Sequence, residues 1–226
     1  MTLFLADRFS AERASLVTRR VFACRLIGTA ALTTTFGFTA GRAVADDRAI
    51  FGNVRKRRPV AGATFGEGTR LLLLHDKVFR NDVLWTRNGG QLQVAMIDGS
   101  TLSLGENAKV VLNDSLSSNT GSSFLHILGG AFCFNSGKAE QPAAPPKIET
   151  PFATLSLRGT EVFGGRFDKS YGIFVSKGEV EVRNDAGAIT LNAGRGTSLT
   201  TRNVPPTQPE VWSDAKVKRA RALAGE

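Results

Sequence analysis

The chain has 226 residues, of which 42% are hydrophobic and 22% are charged, with 29 basic and 20 acidic side chains. Its length suits one domain with appendages, and its apolar fraction is sufficient for a packed core, which excludes a disordered chain. Two cysteines exclude a disulfide framework and a four-thiolate zinc site. The net charge of +9 raises nucleic acid or an acidic surface as candidate partners.

Residues 1–45 have the pattern of a signal peptide. They carry six arginines and two acidic residues, and the uncharged run Leu26–Ala40 leads to the small-residue site Ala43-Val44-Ala45. This order predicts cleavage before Asp46. The apolar run has ~15 residues, short of the ~20 that span a bilayer, so we expect no stable transmembrane segment after cleavage. An uncleaved anchor is the alternative.

The arginine pair in Thr18–Phe22 resembles the twin-arginine export motif, which predicts a periplasmic or secreted protein. A chance arginine pair in a basic leader is the alternative. Without residues 1–45 the net charge falls to +5 and Cys133 is the remaining cysteine. Its apolar sequence context predicts a small buried side chain.

Residues 46–69 are interpreted as a basic lead-in, because Arg55–Arg58 precede Pro59. In an exported protein such a cluster does not indicate nucleic-acid binding. We expect a solvated segment, with contact to an anionic envelope surface as the alternative.

Residues 70–203 are expected to form one β domain. Leu92, Val94 and Met96 alternate with less apolar neighbours, as in a half-buried strand. A turn is predicted at Asp98-Gly99, followed by strands over 101–104 and 109–112. Residues 178–191 have the pattern of a hairpin. The fold class is therefore all-β, with twisted antiparallel sheets that are wound as a roll or a short solenoid.

Two further segments are predicted to lie outside the strands. Residues 135–147 contain Gln141–Pro146, whose prolines cannot sustain a sheet ladder, so we expect a surface loop there. The tail, residues 204–226, includes a short helix over Asp214–Ala224 capped by Ser213. A helix of ~11 residues is marginal in isolation and must dock or fray.

The sequence carries no visible catalytic or metal-binding pattern. Its two histidines, His75 and His126, are far apart, and no nucleophile elbow or phosphate-binding loop is present. Asp98, Glu149 and Glu161 are available carboxylates, for which turn formation or solvent exposure is sufficient explanation. We therefore expect a protein that is not an enzyme and that has no cofactor or metal.

Two segments carry a resemblance to a known family. Val78–Asp114 contains Asp98-Gly99-Ser100 between two strands, and Ile148–Val182 contains Thr150-Pro151 and then Arg158-Gly159-Thr160. In this order the three motifs are similar to those of the FecR domain. The resemblance covers about 105 residues within a β region of about 130.

The resemblance implies a periplasmic β domain that relays a signal from an outer-membrane receptor toward an anti-sigma element. Iron uptake is the best-known setting of that relay. About 25 residues precede the apolar run and about 23 follow Asn203, which is too few for the regulator's cytoplasmic and receptor-docking domains. We therefore expect a stand-alone exported FecR-like domain.

The motif residues also have physical roles that need no family. Asp98, Gly99 and Ser100 suit a turn, Thr150-Pro151 suits the start of a strand, and Gly159 permits a positive φ angle. Arg158 is the candidate for an inward-facing charge, which would require a buried partner. Structural roles are favoured for this set over ligand contact.

Two functions remain open at this point. The first is a binding or signalling module that recognises an envelope protein, such as an outer-membrane receptor or an inner-membrane regulator. The second is a structural envelope protein that binds an anionic polysaccharide through its basic segments. Strand addition at exposed sheet edges is the natural mode for the first, and steep salt dependence is expected for the second.

Overall fold

A computed structural model of the protein describes residues 48–113, 123–137, 145–167 and 169–226, without the side chains of residues 123 and 124. The predicted signal peptide and most of the proline-rich loop, residues 138–144, lie outside the described residues. The described part consists of strands and one helix, which confirms the all-β prediction.

The strands follow one another through short turns. In chain order they are β1 Ile50–Arg58, β2 Ala61–Phe65, β3 Gly68–Leu71, β4 Lys77–Phe79, β5 Val83–Thr86, β6 Gln91–Met96, β7 Thr101–Leu104, β8 Lys109–Leu112, β9 Ser123–Gly129, β10 Phe132–Asn135, β11 Lys147–Glu149, β12 Thr154–Phe167, β13 Ser170–Asn184, β14 Gly187–Asn192, β15 Arg195–Leu199 and β16 Glu210–Val211. The helix α1 spans Asp214–Leu223.

All of these strands belong to one curled sheet. The hydrogen-bonded path runs β3-β2-β5-β8-β9-β11-β12-β10-β7-β6-β1-β4, and β13 pairs with β12 and carries β14 and β15. The two ends of the path approach each other, since Arg70 on β3 donates to the carbonyl oxygen of Lys77 on β4 at 3.1 Å. The β9–β11 pair is parallel, which departs from the antiparallel arrangement that we predicted.

A buried carboxylate holds the two ends of the path together. Asp82 is fully buried and accepts hydrogen bonds from Arg48 Nη1 at 2.6 Å and from Arg70 Nη2 at 2.6 Å. It also accepts from the backbone N–H of Phe79 on β4 at 2.9 Å. A buried charge requires such partners, and here they come from three separate chain segments.

The structure corrects the interpretation of residues 46–69 as a lead-in. Phe51 and Val54 of β1 and Ala61 and Ala63 of β2 are buried in the main core. β1 pairs with β6 and β4, and β2 pairs with β5 and β3. Strand alternation explains the error, because the exposed side chains of β1 include most of the basic cluster while their neighbours face the core.

The structure contains the remaining predicted strands and turns of the β domain. β6, β7 and β8 match the expected segments, and β13 and β14 form the expected hairpin. In its turn, Asn184 Oδ1 accepts from the N–H groups of Ala186 and Gly187, both at 3.0 Å. Such side-chain-to-backbone bonds favour Asn in turns.

A second hydrophobic core lies on the other face of β10, β12 and β13. There the strands bury both faces, so Ile173 and Val175 pack in the main core while Phe174 packs in the second. The second core also contains Phe163 and Cys133. Burial on both faces explains why this stretch of β13 is continuously apolar instead of alternating.

The C-terminal tail covers this second core. Trp212 lies 5.1 Å from the ring of Phe174, and Ala220 and Ala224 are buried beside it. α1 begins after Ser213, whose Oγ accepts from the Lys216 N–H at 3.4 Å, as the predicted cap requires. The helix therefore docks. Over the described residues, none of the helical structure is long and apolar enough to cross a bilayer.

Candidate functional site: a charged groove beside a free strand edge

A polar groove of about 630 Å³ lies on the outer face of β11–β14. Side chains alternate between the faces of a strand, so residues 154, 156 and 158 of β12 line the groove while Leu155 and Leu157 enter the core. The same rule places residues 179, 181 and 183 of β13 in the groove. The lining residues are Pro145, Lys147, Thr154, Ser156, Arg158, Glu179, Glu181, Arg183 and Thr190.

The groove carries charges of both signs in weak ion pairs. Arg158 lies opposite Glu179 in the β12–β13 register, and Arg158 Nη1 is 4.0 Å from Glu179 Oε1. Their side chains are 67% and 47% exposed. Arg183 Nε donates to Glu181 Oε1 at 3.1 Å. Exposed pairs of this kind contribute ~0–1 kcal/mol, so a binding partner can replace them at little cost.

One side of the groove ends at an unpaired strand edge. β14 pairs with β13, and in the described part of the chain no second strand pairs with β14. Ala188, Thr190 and Asn192 on this strand are exposed. A free edge presents unpaired N–H and C=O groups to which an extended peptide can add as a further strand.

The Asp98-Gly99-Ser100 motif forms the predicted turn between β6 and β7. Asp98 Oδ1 accepts from the N–H of Ser100 at 2.9 Å and from its Oγ at 2.6 Å. Gly99 has a φ angle of +81°, which favours glycine. These contacts explain the motif without a ligand.

The Arg158-Gly159-Thr160 motif forms a bend in the long β12–β13 hairpin. The strand register shifts between Arg158 and Glu161, and Gly159 and Gly178 have φ angles of +60° and +79°. A Cβ atom added at Gly178 would lie 2.3 Å from the carbonyl oxygen of Gly159, so the two backbones require glycine at this crossing. Before the bend β12 pairs with β11, and after it β12 pairs with β10.

The expected inward orientation of Arg158 is wrong. Its side chain is largely exposed and lies in the groove, because residue 158 continues the outward-facing series of residues 154 and 156. Thr160 is the buried member of the motif, and its Oγ1 has no hydrogen-bond partner among the described residues.

Thr150-Pro151 forms a turn and does not begin a strand. Thr150 Oγ1 donates to the carbonyl oxygen of Ala153 at 2.7 Å and accepts from the Ala153 N–H at 3.0 Å. β12 then begins at Thr154. The hydroxyl closes the turn locally, which explains why the strand starts later than proline placement suggested.

β10 brings two of the three motifs close together. The N–H of Ser136, which follows β10, donates to the carbonyl oxygen of Thr160 at 2.9 Å. A Cβ atom added at Gly137 would lie 2.5 Å from the carbonyl oxygen of Gly99. Thr150 lies elsewhere, where its carbonyl oxygen accepts from Arg202 Nη1 at 3.4 Å.

A charged network near the Thr150 turn escaped the sequence analysis. His126 Nδ1 is 2.9 Å from Glu149 Oε2, and Arg202 lies 3.9 Å from the other oxygen of Glu149. Arg202 Nε is also 3.5 Å from Asp185 Oδ1. His126 and Glu149 meet through the parallel β9–β11 register, for which the sequence carries no local pattern.

Three residues of types that can bind a metal lie close together. Cys133, Glu161 and Glu226 each place one candidate ligand atom within 4.8 Å of the others. Burial is the main reason that the pKa of the Cys133 thiol lies well above its usual range, and Glu226 and Glu161 raise it further. Metals bind the thiolate, and Glu161 is already paired with Arg221 at 2.8 Å. The arrangement therefore favours a protonated, buried thiol.

A comparison with known protein families finds a match to the central part of the chain. Residues 82–181 match the family described as FecR protein, which confirms the resemblance that the three motifs carry. No curated protein matches the chain.

Two crystal structures of a candidate anti-sigma factor from Parabacteroides distasonis are similar, each with 17% identity and a TM-score of 0.49. The similarity covers 60% of this chain, and the chain spans 62% of the length of those structures.

Proposed function

We propose that this protein, whose residues 82–181 form a FecR domain, is a signalling module of the cell envelope that recognises a protein partner. The family match supports a regulatory role. The signal-peptide pattern of residues 1–45, with its twin-arginine sequence, supports a periplasmic or secreted location. The proposal includes no catalytic step and no cofactor, in keeping with a family of regulators.

The observation that carries the proposal is the free β14 edge beside the charged groove. β14 continues the β12–β13 hairpin of the FecR domain, so an added strand would extend the sheet that the family motifs shape. Backbone hydrogen bonds to such an edge provide affinity for any extended segment. Selectivity must therefore come from side chains that flank the edge.

The groove supplies those side chains. Arg158 and Arg183 offer planar donors that match a carboxylate, and Glu179 and Glu181 offer acceptors for a cation. Both signs of charge are present, so we expect the partner segment to carry acidic and basic residues in alternation. A partner held mainly by backbone hydrogen bonds tolerates added salt better than one held by charge alone.

One observation favours the alternative function, a structural protein that binds an anionic polysaccharide. Arg55, Lys56 and Arg58 are exposed on β1, where strand pairing holds them in a fixed row. Such a row attracts a polyanion, and that binding must weaken steeply as ionic strength rises.

A cross-linked pull-down from the periplasm of the source cell, repeated at low and high salt, separates the two functions. Recovery of an outer-membrane receptor or an inner-membrane regulator at both salt concentrations supports the signalling module. Recovery of cell-wall polymer alone, lost at high salt, contradicts it.

Two proline variants then test the edge. Neighbouring amides of a strand point to opposite sides, so one of Ile189→Pro and Thr190→Pro removes a donor that faces β13 and the other removes a donor at the free edge. We expect the variant with the smaller loss of thermal stability to lose the partner. If that variant retains full capture, strand addition at β14 is wrong.

A further inference from the structure

A second groove, of about 520 Å³, lies on the part of the sheet formed by β2, β3, β5 and β8. Trp85 is its aromatic side chain, and the polar side chains of Thr64, Thr69 and Asn107 lie around it. The basic side chains of Arg87 and Lys109 also line the groove. The charged groove of the FecR domain shares no residue with this one.

The indole of Trp85 is fixed flat against the sheet. A Cβ atom added at Gly62 on the neighbouring strand would lie 2.2 Å from the six-membered part of the ring, so glycine lets the ring rest on the backbone. Trp85 Nε1 donates to Thr64 Oγ1 at 3.1 Å, which sets the rotation of the ring. The ring is partly exposed, so the side away from Gly62 is a preorganised apolar platform.

Two cations lie next to this platform. Lys109 is the direct register partner of Trp85 across β5 and β8, and the exposed Arg87 side chain places its guanidinium over the indole, 5.5 Å from the ring centre. No acidic side chain lines the groove in the described part of the chain. The nearby carboxylate of Glu106 accepts a hydrogen bond from the Gly89 N–H at 3.0 Å instead.

The basic row of β1 reaches the same place. The N–H of Arg87 donates to the carbonyl oxygen of Val60 at 2.9 Å, and Val60 lies two residues after Arg58. Arg58 itself pairs with Gln91, close to the turn that follows Arg87. The end of β1 that carries the exposed Arg58 therefore lies next to the chain segment that carries the exposed Arg87.

We infer that this groove binds an acidic polysaccharide. One sugar ring of the polymer packs on the Trp85 indole, and carboxylate groups of the polymer bind Arg87 and Lys109. The C–H groups of a pyranose ring present an apolar face that fits an aromatic platform, while its hydroxyls match the threonine and asparagine side chains. Arg87 and Lys109 supply positive charge for the carboxylates near the packed sugar ring. The basic row of β1 supplies positive charge for the rest of the polymer.

Single-stranded nucleic acid is the other polyanion that combines charge with rings. Proteins that bind it without sequence preference stack successive bases on several aromatic side chains along a basic groove. Among the residues that line this groove, Trp85 is the single aromatic one. The arrangement therefore favours the saccharide.

The test is a titration of the purified protein with polygalacturonate, dextran and oligothymidylate, followed by tryptophan fluorescence. The chain has two tryptophans, and Trp212, in the tail, is buried in the second core, so we expect the response to come from Trp85. Polygalacturonate should bind, with an affinity that falls as salt rises, and neutral dextran should bind far more weakly. Trp85→Ala should lower the affinity about ten-fold or more, measured by affinity electrophoresis, and Trp85→Phe should retain most of it.

Charge-matched variants locate the cations. Lys109→Gln should weaken polygalacturonate binding and flatten its salt dependence, whereas Lys177→Gln, which removes the same charge from an exposed position on β13, should not. Melting curves of each variant distinguish a lost site from a lost fold. Binding that Trp85→Ala leaves unchanged, no binding to polygalacturonate at low salt, or a preference for oligothymidylate would each overturn the inference.

Discussion

Asp82 provides the sharpest test of how this sheet is closed. Its carboxylate is fully buried and connects Arg70 on β3 with the backbone of Phe79 on β4, the two ends of the strand path, and it also binds Arg48, which precedes β1. The variant Asp82→Asn keeps the shape of the side chain but removes its charge. Two guanidinium groups then lose their common counter-charge, and one strong acceptor becomes an amide donor.

The magnitude follows from the burial of the three partners. Removing one member of a fully buried ion pair costs about 3–5 kcal/mol. The side chains of Arg48 and Arg70 are 20% and 34% exposed, so water compensates part of their loss. We therefore expect Asp82→Asn to lower the free energy of unfolding by about 2–3 kcal/mol, which corresponds to about 4–12 °C in Tm for a domain of this size.

The assay is thermal unfolding followed by circular dichroism, repeated with urea. Asp185→Asn is the matched control, because Asp185 is exposed and lies 3.5 Å from a single arginine, Arg202. Its Tm should change by no more than about 2 °C. Arg70→Gln combined with Asp82→Asn should cost less than the sum of the two single changes. If Asp82→Asn changes the Tm by no more than the control variant does, this account of sheet closure is wrong.

Three further predictions concern the groove, the bend and the buried thiol. Arg158→Glu should reduce capture of a protein partner while changing the free energy of unfolding by less than about 0.5 kcal/mol, since the side chain is exposed. Gly178→Ala should destabilise the fold by about 1–3 kcal/mol because of its positive φ angle and the approach to Gly159, whereas Gly187→Ala, with open space around it, should cost less. Native Cys133 should resist thiol reagents. Burial raises its pKa, so the free energy of unfolding should fall as pH rises above the ordinary thiol range, where the unfolded chain alone releases the proton.

Each of these three has a clear contrary result. Capture that survives Arg158→Glu at every salt concentration would separate the groove from partner recognition. Equal melting of the two glycine variants would mean that the bend does not require glycine at residue 178. A Cys133→Ala variant whose stability declines with alkaline pH as steeply as the unmodified protein would assign that slope to another group, of which Tyr171 is the first candidate because burial also raises its pKa.

Local pattern was sufficient for much of this protein. Alternation of side chains predicted β6 and the β13–β14 hairpin, and Asp98-Gly99 predicted the turn between β6 and β7. These features depend on residues that are neighbours in the sequence, so they can be predicted from the sequence alone. The three motifs together also identified the FecR domain, which the family match over residues 82–181 confirms.

Contacts between distant residues decided the rest. Residues 46–69, with the basic cluster Arg55–Arg58, looked like a solvated lead-in, because no local pattern shows that β1 pairs with β6 and β4. Arg158 looked like an inward charge, because its face depends on the register of β12 against β13. A shift of one residue in that register would exchange the two faces, and the sequence of one strand does not fix it.

The sequence by itself determined the class of fold, the resemblance of its central part to the FecR family and the pattern of an export signal, since each rests on composition or on short-range order. Tertiary structure alone decided that Asp82 closes the sheet, that β14 leaves a free edge, and that Trp85 lies on Gly62 with Arg87 and Lys109 as neighbours. Each of these depends on which strands become neighbours. That choice is a global one, because it balances loop closure and core burial over the whole chain.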